Sequence, residues 1–163
     1  MKTAKKGFTF IEILIYMGLL ATFVAILGSL LFSILDVQLE SVGSSDLDHD
    51  GQYLLARISY DIRRASSVSL PASPGQSASV FNFIASGVNY AYALDAGNLV
   101  VTSGGSTLNL NSFGTTVQTF SLTRLGNPSG KPSFRVSFDL ESKAVSLHQK
   151  SQTRSYQTTI NLR

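Results

Sequence analysis

The sequence predicts an α+β fold: a long N-terminal helix, membrane-spanning in its first half and amphipathic in its second, packed on an antiparallel β-sheet head. Three observations carry this expectation. An uncharged apolar run fills residues 13 to 35, an apolar stripe at helical spacing follows it, and seven short alternating runs occupy most of the rest of the 163 residues. That length supplies one modest core and little room for a second.

The chain opens on MKTAKKG, where Lys2, Lys5 and Lys6 stand without an acid, and continues into residues 8 to 35, whose one charge is Glu12. The 23 uncharged positions from 13 to 35 would form a helix about 35 Å long, against a hydrocarbon core of roughly 30 Å. Lysines ahead of such a span place the N-terminus in the cytoplasm and the remainder across the membrane. A cleaved secretory signal has an apolar core of roughly 7 to 15 residues followed by a small-x-small site, and this segment is longer and lacks the site. A plain anchor leaves Glu12 unexplained. Charged residues, Asp included, cost about 2.5 to 3.5 kcal/mol at the centre of a membrane helix, and less near its end.

Residues 36 to 50, DVQLESVGSSDLDHD, hold five acids and no base, and the Gly-Ser-Ser at 43 to 45 predicts a break. Beyond it Leu47, Leu54, Ile58, Ile62 and Ala65 recur at spacings of 7, 4, 4 and 3, which predicts an amphipathic helix over residues 46 to 67 laid on a sheet. Asp46 is expected at its N-cap, with Asp48 and Asp50 in the first turn. Arg57, Arg63 and Arg64 suit the negative end of the dipole as solvated charges. Asp46-x-Asp48-x-Asp50-Gly51 begins like a calcium loop, but Leu54 stands ninth and Arg57 takes the twelfth position, where a bidentate Glu is required. No metal site is expected there.

Past Leu70, PASPGQSAS reads as a surface loop. Alternating runs then cover residues 79 to 85, 88 to 94, 98 to 103, 106 to 112, 116 to 124, 134 to 142 and 154 to 162. Ala-Gly-Asn at 96 to 98, Gly104-Gly105 and the Gly/Pro-rich 126 to 132 separate several of them, so the sheet is expected to be antiparallel and built of hairpins.

Nothing in the chain assembles a catalytic or cofactor site. Cysteine is absent, the histidines are His49 and His148, and neither a nucleophile elbow nor a phosphate-binding glycine loop occurs. The expectation is a protein that is not an enzyme and needs no cofactor or metal.

KKGFTFIEIL, residues 5 to 14, resembles the class III signal of type IV pilins and pseudopilins: a short basic leader ending in Gly, then Phe-Thr, with Glu fifth after the cut. The resemblance implies that a prepilin peptidase cleaves between Gly7 and Phe8 and methylates the new amine of Phe8. It implies too that Glu12 pairs with the Phe8 amine of a neighbouring subunit during assembly. Residues 54 to 65, LLARISYDIRRA, and 158 to 163, TTINLR, are similar to the J-type minor pseudopilins of type II secretion. The stalk lacks the proline of many major pilins, and Gly18 and Gly28 are candidate positions for close helix packing.

On this reading residues 1 to 7 are the leader, 8 to 35 the transmembrane assembly helix, 36 to 70 the acidic stem and amphipathic helix, and 71 to 163 the β head. The implied partners are other pilins or pseudopilins, the prepilin peptidase and an inner-membrane assembly platform. The head would be periplasmic or extracellular, with the subunit available to a filament.

The alternative is a minor pilin whose head binds DNA or a surface, since residues 123 to 163 hold seven bases against two acids. Nucleic acid is disfavoured, because Phe134, Phe138 and Tyr156 alternate as core residues rather than forming a stacking platform. The basic tail is expected to meet the acidic stem of an adjacent subunit. Without the leader lysines the chain has ten bases and ten acids, so its basic balance belongs to the leader.

Overall fold

The computed structural model describes residues 9–126, 132–144 and 151–162. One helix, α1 (Phe10–Arg64), precedes nine strands: β1 (Ser67–Leu70), β2 (Ser77–Ala78), β3 (Phe81–Ala85), β4 (Val88–Asp95), β5 (Asn98–Ser103), β6 (Ser106–Asn109), β7 (Thr115–Leu125), β8 (Ser133–Ser142) and β9 (Thr153–Asn161). This is the predicted α+β class. The strands form two antiparallel sheets, ordered β1-β3-β4-β5-β6 and β2-β7-β8-β9. The division into two sheets is not in the sequence reading, nor are β1 and β2.

β1 replaces the expected end of the amphipathic helix. After Arg64 the Ser66 backbone N–H and Oγ both donate to the Ile84 carbonyl, at 2.8 and 2.9 Å. That contact turns the chain onto β3 before residue 67. β2 is two residues inside the expected surface loop, joined to β7 by a 2.7 Å hydroxyl contact between Ser77 and Thr123.

The chain divides into two units, Met1–Gln38 and Leu39–Arg163. In the second, Leu47, Leu54, Ile58 and Ile62 are fully buried and Ala65 nearly so, which is the stripe that the spacing predicts. Each such Leu or Ile side chain contributes about 1.5 to 3 kcal/mol on burial. Its cover is the inner face of both sheets. In β8 Phe134, Val136, Phe138 and Leu140 alternate inward, and β3 turns in Phe81, Phe83 and Ala85. The rings of Phe81 and Phe134, one from each sheet, lie 6.1 Å apart, so the sheets share one core.

The β4–β5 turn brings the two sheets together. Ala96 and Gly97 both take positive φ, 45° and 78°, as a two-residue turn of the right twist requires. The Gly97 carbonyl then accepts the Val117 N–H of β7 at 2.8 Å. A Cβ on Gly97 would meet the Thr116 methyl at 2.7 Å.

The expected break at residues 43 to 45 does not occur, and Asp46 is not an N-cap: α1 runs through both. The glycines serve close packing instead. A Cβ on Gly43 would stand 2.7 Å from the Ser142 Oγ, and one on Gly51 would overlap the Tyr156 ring. Tyr156 lies flat there, its hydroxyl donating to the Leu47 carbonyl at 2.8 Å and its ring stacked on Phe138 at 5.4 Å. A mid-helix glycine costs about 1 kcal/mol in propensity, and here the aromatic contact holds it in place. Asp46 sits over Gly114, whose Cβ would meet its Oδ2 at 2.5 Å.

Gly51→Ala should therefore destabilise the head by about 1 to 3 kcal/mol, although alanine is the better helix former. Chemical denaturation of the full chain in detergent measures this; a stabilised Gly51→Ala would contradict the packing.

Candidate functional site

In the N-terminal unit α1 begins at Phe10, with Thr9 before it. The Glu12 N–H donates to the Thr9 carbonyl at 3.1 Å and faces the Thr9 Oγ1 at 3.4 Å. Thr9-x-x-Glu12 thus has capping-box spacing, with the acid in the first turn where the dipole favours it. The Tyr16 hydroxyl, one turn on, donates to the Glu12 Oε1 at 3.3 Å. These neighbours explain how a carboxylate is held at the head of an apolar helix, and the sequence reading missed them. Their signal was the hydroxyl three residues before Glu12 and the phenol four after it. Gly7 and Phe8, with the whole leader 1 to 7, lie outside the described residues.

From Phe10 to residue 38 the large apolar side chains are exposed. The helix is long and apolar enough to cross a membrane, and none of its apolar window is buried. Two of its hydroxyls are satisfied locally: Thr22 Oγ1 donates to the Gly18 carbonyl at 2.9 Å and Ser29 Oγ to the Ile26 carbonyl at 2.8 Å. Such back-bonding lowers the cost of placing them in lipid. A Cβ on Gly18 or Gly28 would meet nothing within 4 Å, so no packing within the chain requires glycine at either.

The charges of the second unit are arranged differently from the expectation. Asp48 pairs with Arg154 of the same chain, and Arg154 also donates to the Ser44 Oγ at 2.9 Å. Stem and tail therefore meet inside one subunit at this point. Arg124 donates to the Ala72 carbonyl at 2.6 Å, and Lys143 stands 5.0 Å from the Phe113 ring centroid. Lys131, His148, Lys150 and Arg163 lie outside the described residues.

Two stem carboxylates are buried. The Asp50 Oδ2 accepts the Ser112 N–H at 2.9 Å and the Thr115 hydroxyl, fastening α1 to the β6–β7 connection. Asp61 is fully buried. It accepts the Tyr92 hydroxyl of β4 and pairs with Arg57 at 3.1 Å and Arg64 at 2.7 Å. Arg57 and Arg64 are thus partners of a buried acid rather than free surface charges. Arg64 also lies 4.7 Å over the Tyr90 ring. Burial, and then the hydrogen bond to Asp61, push the Tyr92 hydroxyl far above its ordinary pKa. Asp50 and Asp61 could have been found from the stripe, since both fall on its helical face. Among the described residues no group of three or more His, Cys, Asp or Glu is placed to hold a metal.

Comparison with protein-family models, curated proteins and solved structures finds no match. The geometry is that of an apolar helix headed by a held carboxylate, and of a head pinned to its helix by buried acids.

Tyr92 gives this arrangement a pH signature. Its folded pKa lies above the ordinary 10.0, so its contribution is fully present below that value and is lost as pH rises beyond it. Tyr92→Phe should be about 1 to 2 kcal/mol less stable near neutral pH, yet lose less stability than the wild type between about pH 9 and 11. Thermal melts across that range decide it, and parallel slopes would count against the buried pair.

Proposed function

We propose that the chain is a minor pilin or pseudopilin subunit of a type IV filament-like machine, with a structural role in assembly or priming. Prepilin peptidase would cleave at Gly7-Phe8 and methylate Phe8, and the subunit would be held in the inner membrane with its head outside the cytoplasm. One observation carries this reading: a single helix is exposed and apolar through its first half, charged there at Glu12, and is the core of a β head through its second.

A carboxylate and an ammonium are each costly in apolar surroundings and much less so together. Glu12 is held by Thr9 and Tyr16 at the start of the helix, where a neighbour's amine could reach it. The partners on this reading are other pilin-like subunits, which cover the apolar face from residue 10 to 38. The arginines Arg124 and Arg154 are engaged within the head, which favours assembly over a phosphate-binding track.

Intact mass of the membrane-extracted protein should show residues 1 to 7 removed and one methyl group added. Glu12→Ala should be processed identically yet enter filaments poorly, by about tenfold or more in sheared-filament yield if the lost pair is worth about 1.4 kcal/mol. A full-length Met1 species, or normal incorporation of Glu12→Ala, would refute the reading.

A further inference from the structure

The four-stranded sheet ends on β9, and among the described residues no strand pairs with its outer edge. Pairing of β8 with β9 runs without a register shift from Ser133↔Asn161 to Glu141↔Thr153. The bonds flanking that ladder, Leu162 N–H to the Pro132 carbonyl at 3.0 Å and Ser142 N–H to the Gln152 carbonyl at 2.8 Å, fix which residues face β8. In an antiparallel ladder the hydrogen-bonded pairs alternate. Even-numbered residues of β9 therefore bond to β8. Thr153, Ser155, Gln157, Thr159 and Asn161 turn their N–H and C=O groups outward, and all five are exposed.

Natural edge strands are usually short, or are blunted by proline, lysine or a bulge. The other edges here follow that rule in length, with β1 and β6 of four residues and β2 of two. β9 has nine residues, no proline, no bulge, and uncharged Thr, Ser, Gln and Asn on its outward positions. Its even side chains are engaged on α1, through Arg154 with Asp48 and Tyr156 with Leu47, which holds the strand straight and presents the edge. At its C-terminal end a groove of about 470 Å³ is lined by Thr159, Ile160, Asn161, Leu162 and Arg63 of α1. Arg63 is exposed and has no acidic partner among the described residues.

We propose that the β9 edge is a docking site for an extended segment of a partner protein, added as a fifth strand of this sheet with an acidic side chain directed to Arg63. Main-chain hydrogen bonds to the five outward residues supply affinity, and the arginine supplies selection and register. A basic segment is rejected by the same charge. The proposal does not rest on the reading of the N-terminal helix.

The test uses the full chain in detergent micelles and two fluorescent peptides of about ten alternating Thr and Val residues, one carrying a central Glu and the other a central Lys. The Glu peptide should bind about fivefold or more tightly than the Lys peptide, as expected for gaining one ion pair and avoiding one repulsion. Gln157→Pro and Ser155→Pro remove outward N–H groups while sparing the ladder to β8, and should abolish binding without unfolding the head. Arg63→Glu, at an exposed position, should reverse the preference and remains readable if the proline variants fold poorly. Equal binding of both peptides, binding unchanged in folded proline variants, or no binding of either would overturn the proposal. So would a dimer in sedimentation equilibrium that the proline variants dissolve, since the edge would then belong to a second copy.

Discussion

The face of α1 that carries Leu47, Leu54, Ile58 and Ile62 is the constraint on which the head depends. Each of the two sheets turns an apolar face inward, and a sheet with one apolar face must bury it against another element. The helix stripe fills that space, fully buried along its length. Two carboxylates on the same face make the fit specific. Asp50 holds the β6–β7 connection and Asp61 holds Tyr92 of β4. A buried acid is costly unless every partner is in place, so sliding the helix by a turn would leave both acids unsatisfied. Hydrophobic burial supplies the stabilisation, and the acids supply the register.

One covalent helix therefore meets two environments. From Leu47 onward its stripe of Leu47, Leu54, Ile58 and Ile62 is covered by the chain's own sheets, and up to residue 38 its large apolar side chains are exposed and need a cover from elsewhere. Lipid and neighbouring helices are the covers that a 23-residue uncharged run can use. Thr22 and Ser29 bond to their own backbone, consistent with such surroundings. The basic balance of the whole sequence comes from the three lysines ahead of Phe8, and in the head acid and base meet at Asp48 and Arg154.

Periodicity made the larger elements legible. The stripe from Leu47 to Ala65 and the runs that become β3 to β9 follow from spacings of 3.6 and 2, because each buries one face. What misled was the meaning of single residues whose partners are distant in the chain. Gly43 read as part of a break, yet it makes room for Ser142, and Gly51, inside the expected helix, makes room for Tyr156. Asp50 read as a first-turn acid, although it sits on the apolar face and is buried there. The change of sheet between β6 and β7 rests on Asn111, whose side chain accepts the Leu99 N–H at 2.9 Å and donates to the Thr115 carbonyl at 3.0 Å. No local pattern announces such a residue. Glu12 was singled out as the one charge of the apolar segment, while its local partners Thr9 and Tyr16 stood in plain sequence view at three before and four after.

The claim that the second half of α1 is the core of the head, rather than a stem lying beside it, is tested most directly by amide hydrogen exchange on the full chain in micelles. Amides from residue 47 to 62 should exchange only through the same global opening as those of β7 and β8, with a common free energy and a common response to denaturant. Exchange of the helix amides at a lower free energy, while the strands remain protected, would contradict it.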